Sequence, residues 1–184
     1  MGNILPTATE IHSSGGTEMK ITLKNIKHSA FASQETHCYE ASIYVDGKKS
    51  GTVFNEGFGG EDHIDWNSKE IEDRVNAWVK VQPRMPLPWD ENDTLPFSLE
   101  IMFGELVNRW LDEKELKRVL RKGLIMINNN NEKGSYSIYK IPAFYKDKKA
   151  ELFHKIVDLK MVSKDAICLN ILPTDKALQH FHAI

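Results

Sequence analysis

Apolar residues recur at three- and four-residue steps from Phe97 to Gly123, in the stretch FSLEIMFGELVNRWLDEKELKRVLRKG. Leu99, Met102, Phe103, Leu106, Trp110, Leu116, Val119 and Leu120 therefore share one side of a helix, the longest helical pattern in the chain. Ser98 offers an N-cap and Gly123 a C-terminal stop. Asp112 and Glu115 have capping-box spacing, which predicts two consecutive helices broken near Asp112.

Ahead of this helix the period changes to two. Met19, Ile21 and Leu23 alternate with Lys20, Thr22 and Lys24, and Tyr39, Ala41, Ile43 and Val45 alternate with polar neighbours, as half-buried strands require. Asp46-Gly47 precedes a second alternating run from Ser50 to Asn55, and this dipeptide predicts a β-hairpin with a type I′ turn. Asn67 and Glu70 mark the start of a helix with Ile71, Val75, Trp78 and Val79 on its apolar side, ended by Pro83. Four of the seven prolines crowd PRMPLPWDENDTLP, residues 83–96, which predicts an extended polyproline II connection. Met85, Leu87 and Trp89 on it either contact a partner or fold back over the core.

After the long helix, Leu124 to Ile127 and Tyr136 to Ile141 read as strands around an exposed NNNNEKG turn. Phe153, Ile156, Val157 and Met161 mark another helix, and Ile167, Leu169 and Ile171 a last strand. Thr174 caps a short terminal helix with Ala177, Leu178 and Phe181 inward. No βαβ unit repeats, so the expected class is α+β. Residues 19–184 form a single domain, a mostly antiparallel sheet with a β-hairpin and three to five helices packed on it. Residues 1–18, with their Ser-Ser-Gly-Gly run, read as a flexible leader or extension, and Met19 as a candidate original start.

Composition narrows the function. With 184 residues, 41% of them hydrophobic, the chain is long enough for a proper core. The balance of 24 Lys+Arg against 26 Asp+Glu excludes a generally basic nucleic-acid binder and an acidic DNA mimic. Two distant cysteines, Cys38 and Cys168, build no disulfide framework and point to a reducing cytoplasm. No apolar run reaches the length of a membrane span.

Three stretches carry candidate chemistry. The loop NEGFGGEDHID, residues 55–65, has glycines that permit close backbone approach and presents Phe58, Glu61 and Asp62 as a contact surface; its plainer reading is a wide turn from a strand to a helix. Lys114, Lys117, Arg118, Arg121 and Lys122 lie near the end of the long helix. They either complement its dipole or dock on phosphates or an acidic protein surface. His37, Cys38, His63 and Asp65 are proper zinc ligands, which frames an alternative as a small metal-dependent hydrolase, but their spacing matches no zinc motif. No cofactor and no metal is expected, and no catalytic residue is assigned.

The segments MKITLKNIKHSAFASQETHCYEASIYVDGKKSGTVFNEGFGG, GELVNRWLDEKELKRVLRKG and ILPTDKALQHF together resemble a family of uncharacterised small proteins carried by bacteriophages and prophages. The resemblance runs from Met19 nearly to Ile184. It implies a mobile-element accessory protein in the bacterial cytoplasm. The associated expectation is inhibition of a host defence nuclease such as a CRISPR-Cas effector with its guide RNA. The residue-level expectation is a non-catalytic module that occupies the surface of a larger bacterial protein or ribonucleoprotein. Its contacts would be Phe58, Glu61, Asp62, Arg84, Trp89 and the five basic residues of the helix end, because exposed aromatics and arginines on loops carry interface energy. Direct nucleic-acid binding through the basic residues is the further alternative.

Overall fold

The computed structural model describes residues 19–87, 90–127 and 135–182, and of residues 86, 87 and 90–92 the backbone alone. The class is α+β with four α-helices, and every strand pairing among the described residues is antiparallel. The chain resolves into two compact units, residues 1–109 and 110–184.

The first unit holds a four-stranded meander: β1 (Ile21–His28), β2 (Tyr39–Val45), β3 (Lys48–Asn55) and β4 (His63–Trp66), paired in that order. The predicted hairpin joins β2 to β3, with Asp46 and Gly47 at φ 49° and 80°, the positive values a type I′ turn demands. Ile21, Tyr39, Ala41, Ile43, Val45 and Val53 are buried. On the other face the cross-strand row Lys27, Glu40, Phe54 and His63 meets solvent or lies half-buried. Helix α1 (Lys69–Lys80) buries Val75 and Trp78, whose indole meets the Phe97 ring edge-on at 5.5 Å. Its cap is Ser68, whose hydroxyl accepts from the Ile71 N–H; Asn67, the expected cap, instead donates to the Lys49 carbonyl.

The described residues of 83–96 do not run as one polyproline II connection: β5 (Met85–Leu87) and β6 (Asp90–Leu95) pair as a two-stranded ribbon. An edge strand tolerates proline because its outer side needs no ladder donor, so the same extended dihedrals serve both structures.

The long helix α2 (Leu99–Leu120) is one unbroken element. Ser98 caps it as predicted, accepting from the Ile101 N–H at 3.2 Å, but no break occurs at Asp112. Asp112 lies 3.2 Å from the His182 imidazole, and Glu115 binds Arg118. Both carboxylates thus serve side chains, not a new helix start. Met102, Phe103 and Val107 are buried in the first unit, Leu116 and Val119 in the second. Each such side chain contributes about 1.5–3 kcal/mol by leaving water.

The second unit has a three-stranded sheet ordered β8 (Ser137–Tyr139), β7 (Leu124–Ile127), β9 (Ile167–Cys168). Leu152 and Ile156 of α3 (Lys149–Asp158) pack with Leu124, Met126 and Cys168, while Ala177 and Leu178 of α4 (Thr174–His182) pack with Leu116, Val119 and Ile125. Met161, expected on α3, lies past its end and is exposed. Thr174 is the first residue of α4 and not its cap, since the Ala177 N–H already bonds the Pro173 carbonyl. The predicted strand at residues 167–171 stops at Cys168, and Leu169–Ile171 coil into a 3-10 turn. That turn inserts Asn170 beneath the end of α2, where its amide donates to the carbonyls of Leu120 and Gly123 and accepts the Ile125 N–H.

Candidate functional site

The glycine-rich loop joins β3 to β4, a strand to a strand and not a strand to a helix as expected. Asn55, only 5% exposed, organises it. Its side-chain carbonyl accepts from the Gly57 N–H and the Thr36 hydroxyl, both at 2.8 Å, and its amide donates to the Gly60 carbonyl and to Asp62, both at 3.0 Å. Every polar valence of one buried side chain is spent on holding the loop. The Gly57 carbonyl then accepts N–H groups from Gln34, Glu35 and Thr36, which locks this loop to the one between β1 and β2. Gly57 sits at φ 87°, and a Cβ there would collide with the Ala32 carbonyl. The glycines therefore serve backbone packing. The loop is a rigid structure and not an open anion cradle.

Two phenylalanines stand out from this framework. Phe58 is 60% exposed, and Phe31, on the partner loop, is 99% exposed. Their chain neighbours Gly57 and Ala32 are in contact, so both rings are displayed from one cross-bonded base. A groove of about 550 Å³ opens at the roots of the loops, lined by Lys27, His28, Cys38, Glu40, Phe54 and Glu56 among others.

Carboxylates surround the base. Asp62 accepts the Tyr39 phenol at 2.6 Å, and burial, reinforced by that hydrogen bond, pushes the phenol pKa upward. Partial burial, followed by the charges of Asp62 and Glu61, raises the carboxyl of Glu100 on the first turn of α2. Three carboxylates thus share one electrostatic neighbourhood.

The other expected site residues are scattered. Arg84 is exposed but engaged, donating through Nε to the Thr94 hydroxyl at 2.8 Å and so stapling the base of the β5–β6 ribbon. Trp89 lies outside the described residues. Along α2, Lys117 binds Glu113 at 3.1 Å, Arg118 binds Glu115 at 2.7 Å, and Lys114 lies 4.8 Å from the Trp110 ring centroid. Arg121 and Lys122 are exposed beyond the helix end. Much of the basic surface is therefore balanced along its own helix.

The hydrolase constellation does not assemble. His37 Nε2 lies 2.6 Å from Asn108 Oδ1 and its Nδ1 3.3 Å from His28, whereas His63 stacks on Phe54 with ring centroids 4.8 Å apart. Asp65 is exposed opposite Thr52, and the Cys38 backbone N–H bonds the Ser33 hydroxyl. Among the described residues no group of three or more His, Cys, Asp or Glu side chains is placed to hold a metal ion.

The near-neutral composition conceals a division of charge. Residues 1–109 carry 10 Lys+Arg against 17 Asp+Glu, a formal −7, and residues 110–184 carry 14 against 9, a formal +5. No helix among the described residues is long and apolar enough to cross a membrane. Compared with protein-family models, with curated proteins and with solved structures, the chain matches none.

Proposed function

We propose that the chain is a non-catalytic protein-binding module and that the paired loops of the acidic unit are its contact surface. The observation that carries this reading is the display of Phe31 and Phe58 from a base already fixed by Asn55 and Gly57. Large apolar rings held in water are unfavourable for an isolated protein, and rings on a preordered base bind without a large ordering cost. Glu61, Asp62 and Glu100 beside them, in a unit of formal charge −7, favour a partner with a basic face. A nucleic-acid-handling bacterial protein presents such a face. The resemblance to phage and prophage proteins is the ground for the finer proposal, a defence nuclease such as a CRISPR-Cas effector that this chain inhibits by occupying its surface in the host cytoplasm.

The test is capture from a bacterial lysate with the full chain as bait, with and without nuclease, read by mass spectrometry. One stoichiometric partner that survives nuclease and is lost with the Phe31→Ala, Phe58→Ala double variant is the expected result. Capture unchanged by the double variant, or only nucleic-acid-dependent capture, rejects it.

A further inference from the structure

Between residues 140 and 165 the chain carries seven lysines against four acidic residues, and an aromatic pair lies among them. Phe144 and Tyr145, on a 3-10 turn, stand perpendicular with ring centroids 5.2 Å apart. Tyr145 is half-buried against the cluster that contains Leu152 and Ile156, which anchors the pair. Phe144 is 70% exposed. Lys148 Nζ lies 4.6 Å from the Phe144 ring centroid and 3.8 Å from the exposed Glu151 carboxylate, a longer pairing than those along α2, and Lys155 Nζ lies 3.3 Å from the Tyr145 hydroxyl. Lys140, Lys146, Lys160 and Lys164 are exposed in the same stretch.

We propose that Phe144 with Lys148 and Lys155 is a binding site for single-stranded nucleic acid. An exposed ring offers a stacking platform for one unpaired base, and lysines around it neutralise the flanking phosphates, the combination that sequence-tolerant single-strand binders use. A duplex keeps its bases stacked inside and cannot present one to Phe144. A lipid surface fits less well, because Leu152 and Ile156 of α3 are buried and the exposed apolar residues of the stretch, Phe144, Leu159 and Met161, are single side chains off the helix and not an amphipathic helix face. The site belongs to the basic unit and does not rest on the paired loops of the acidic one.

The experiment is fluorescence anisotropy of the full chain with labelled 12-nucleotide oligouridine and oligothymidine, from 25 to 200 mM salt. Engagement of three or four phosphates gives a slope of log K against log salt of about −2 to −3. Phe144→Ala is expected to weaken binding about tenfold, within the range for one stacked base, and Phe144→Trp to retain it. Lys148→Glu with Lys155→Glu is expected to remove measurable binding, and Arg121→Glu with Lys122→Glu to change it less than about threefold. Circular dichroism confirms that each variant is folded. No salt-dependent binding overturns the proposal. So does equal affinity of Phe144→Ala and the parent chain, a larger effect at Arg121 and Lys122, or tighter binding to duplex or to phosphatidylserine vesicles.

Discussion

Asn55 illustrates how much one buried amide organises. It bridges both loops through four hydrogen bonds, and truncation leaves the Gly57 N–H and the Thr36 hydroxyl without their acceptor. Asn55→Ala is expected to cost about 2–4 kcal/mol in urea unfolding, since each stranded buried group costs about 1–3 kcal/mol and water reaches some of them. Glu100 makes the opposite prediction. Burial and the neighbouring acids raise its carboxyl, so between the ordinary value and the raised one the folded chain binds more protons than the unfolded chain. Stability from this group therefore falls as pH rises through that window, and the penalty is complete at neutral pH. Glu100→Gln is expected to raise the free energy of urea unfolding at pH 7 by less than about 1 kcal/mol, because the group is solvent-screened, and to flatten its fall with rising pH. An unchanged pH profile rejects the coupling. Sequence made Phe58 legible because glycines flank it. Phe31 is a single ring in a short polar turn, with no periodicity to mark its exposure, and Asn55 looked like the end of a strand.

At the scale of elements, what could be read was what local pattern decides. The β2–β3 hairpin follows from alternation and Asp-Gly, and α1 from its apolar stripe; α2 is a helix as expected, but the single stripe does not hold, since Met102, Phe103 and Val107 are buried on one side of it and Leu116 and Val119 on another. The errors lie where a tertiary partner chose between two local options. Asp112-x-x-Glu115 has the spacing of a cap, but its carboxylates find His182 and Arg118. Leu169 and Ile171 alternate as in a strand, but Asn170 pulls the chain into a turn to close the end of α2. Asn170→Ala is accordingly expected to cost about 2–3 kcal/mol, as three hydrogen bonds are lost at a partly buried site. Asn170→Asp is expected to be worse than alanine, because a carboxylate oxygen then faces the carbonyls of Leu120 and Gly123 where an amide donated. Equal losses in chemical denaturation contradict that capping role.

The whole chain divides its charge in a way that composition cannot reveal, since −7 and +5 sum to a bland −2. The basic helix end stands out in the sequence, but Glu113 and Glu115, one turn earlier on the same helix, partly neutralise it. Lys148 and Lys155 share no apolar stripe with Phe144 and Tyr145 and meet that aromatic pair only through the 3-10 turn and α3. On the proposed reading, a ribonucleoprotein would meet both charges, since it offers basic protein surface and exposed single strands together. If each unit reads one component, the effects of substitution separate. Phe31→Ala with Phe58→Ala is expected to abolish capture of the protein partner while leaving oligonucleotide affinity within twofold. Phe144→Ala is expected to do the reverse on the isolated components. Binding to the intact ribonucleoprotein then falls with either change, because the second contact is intramolecular and its loss removes the gain in effective concentration. Anisotropy with oligonucleotide alone and surface binding to the nuclease with and without its RNA distinguish these cases.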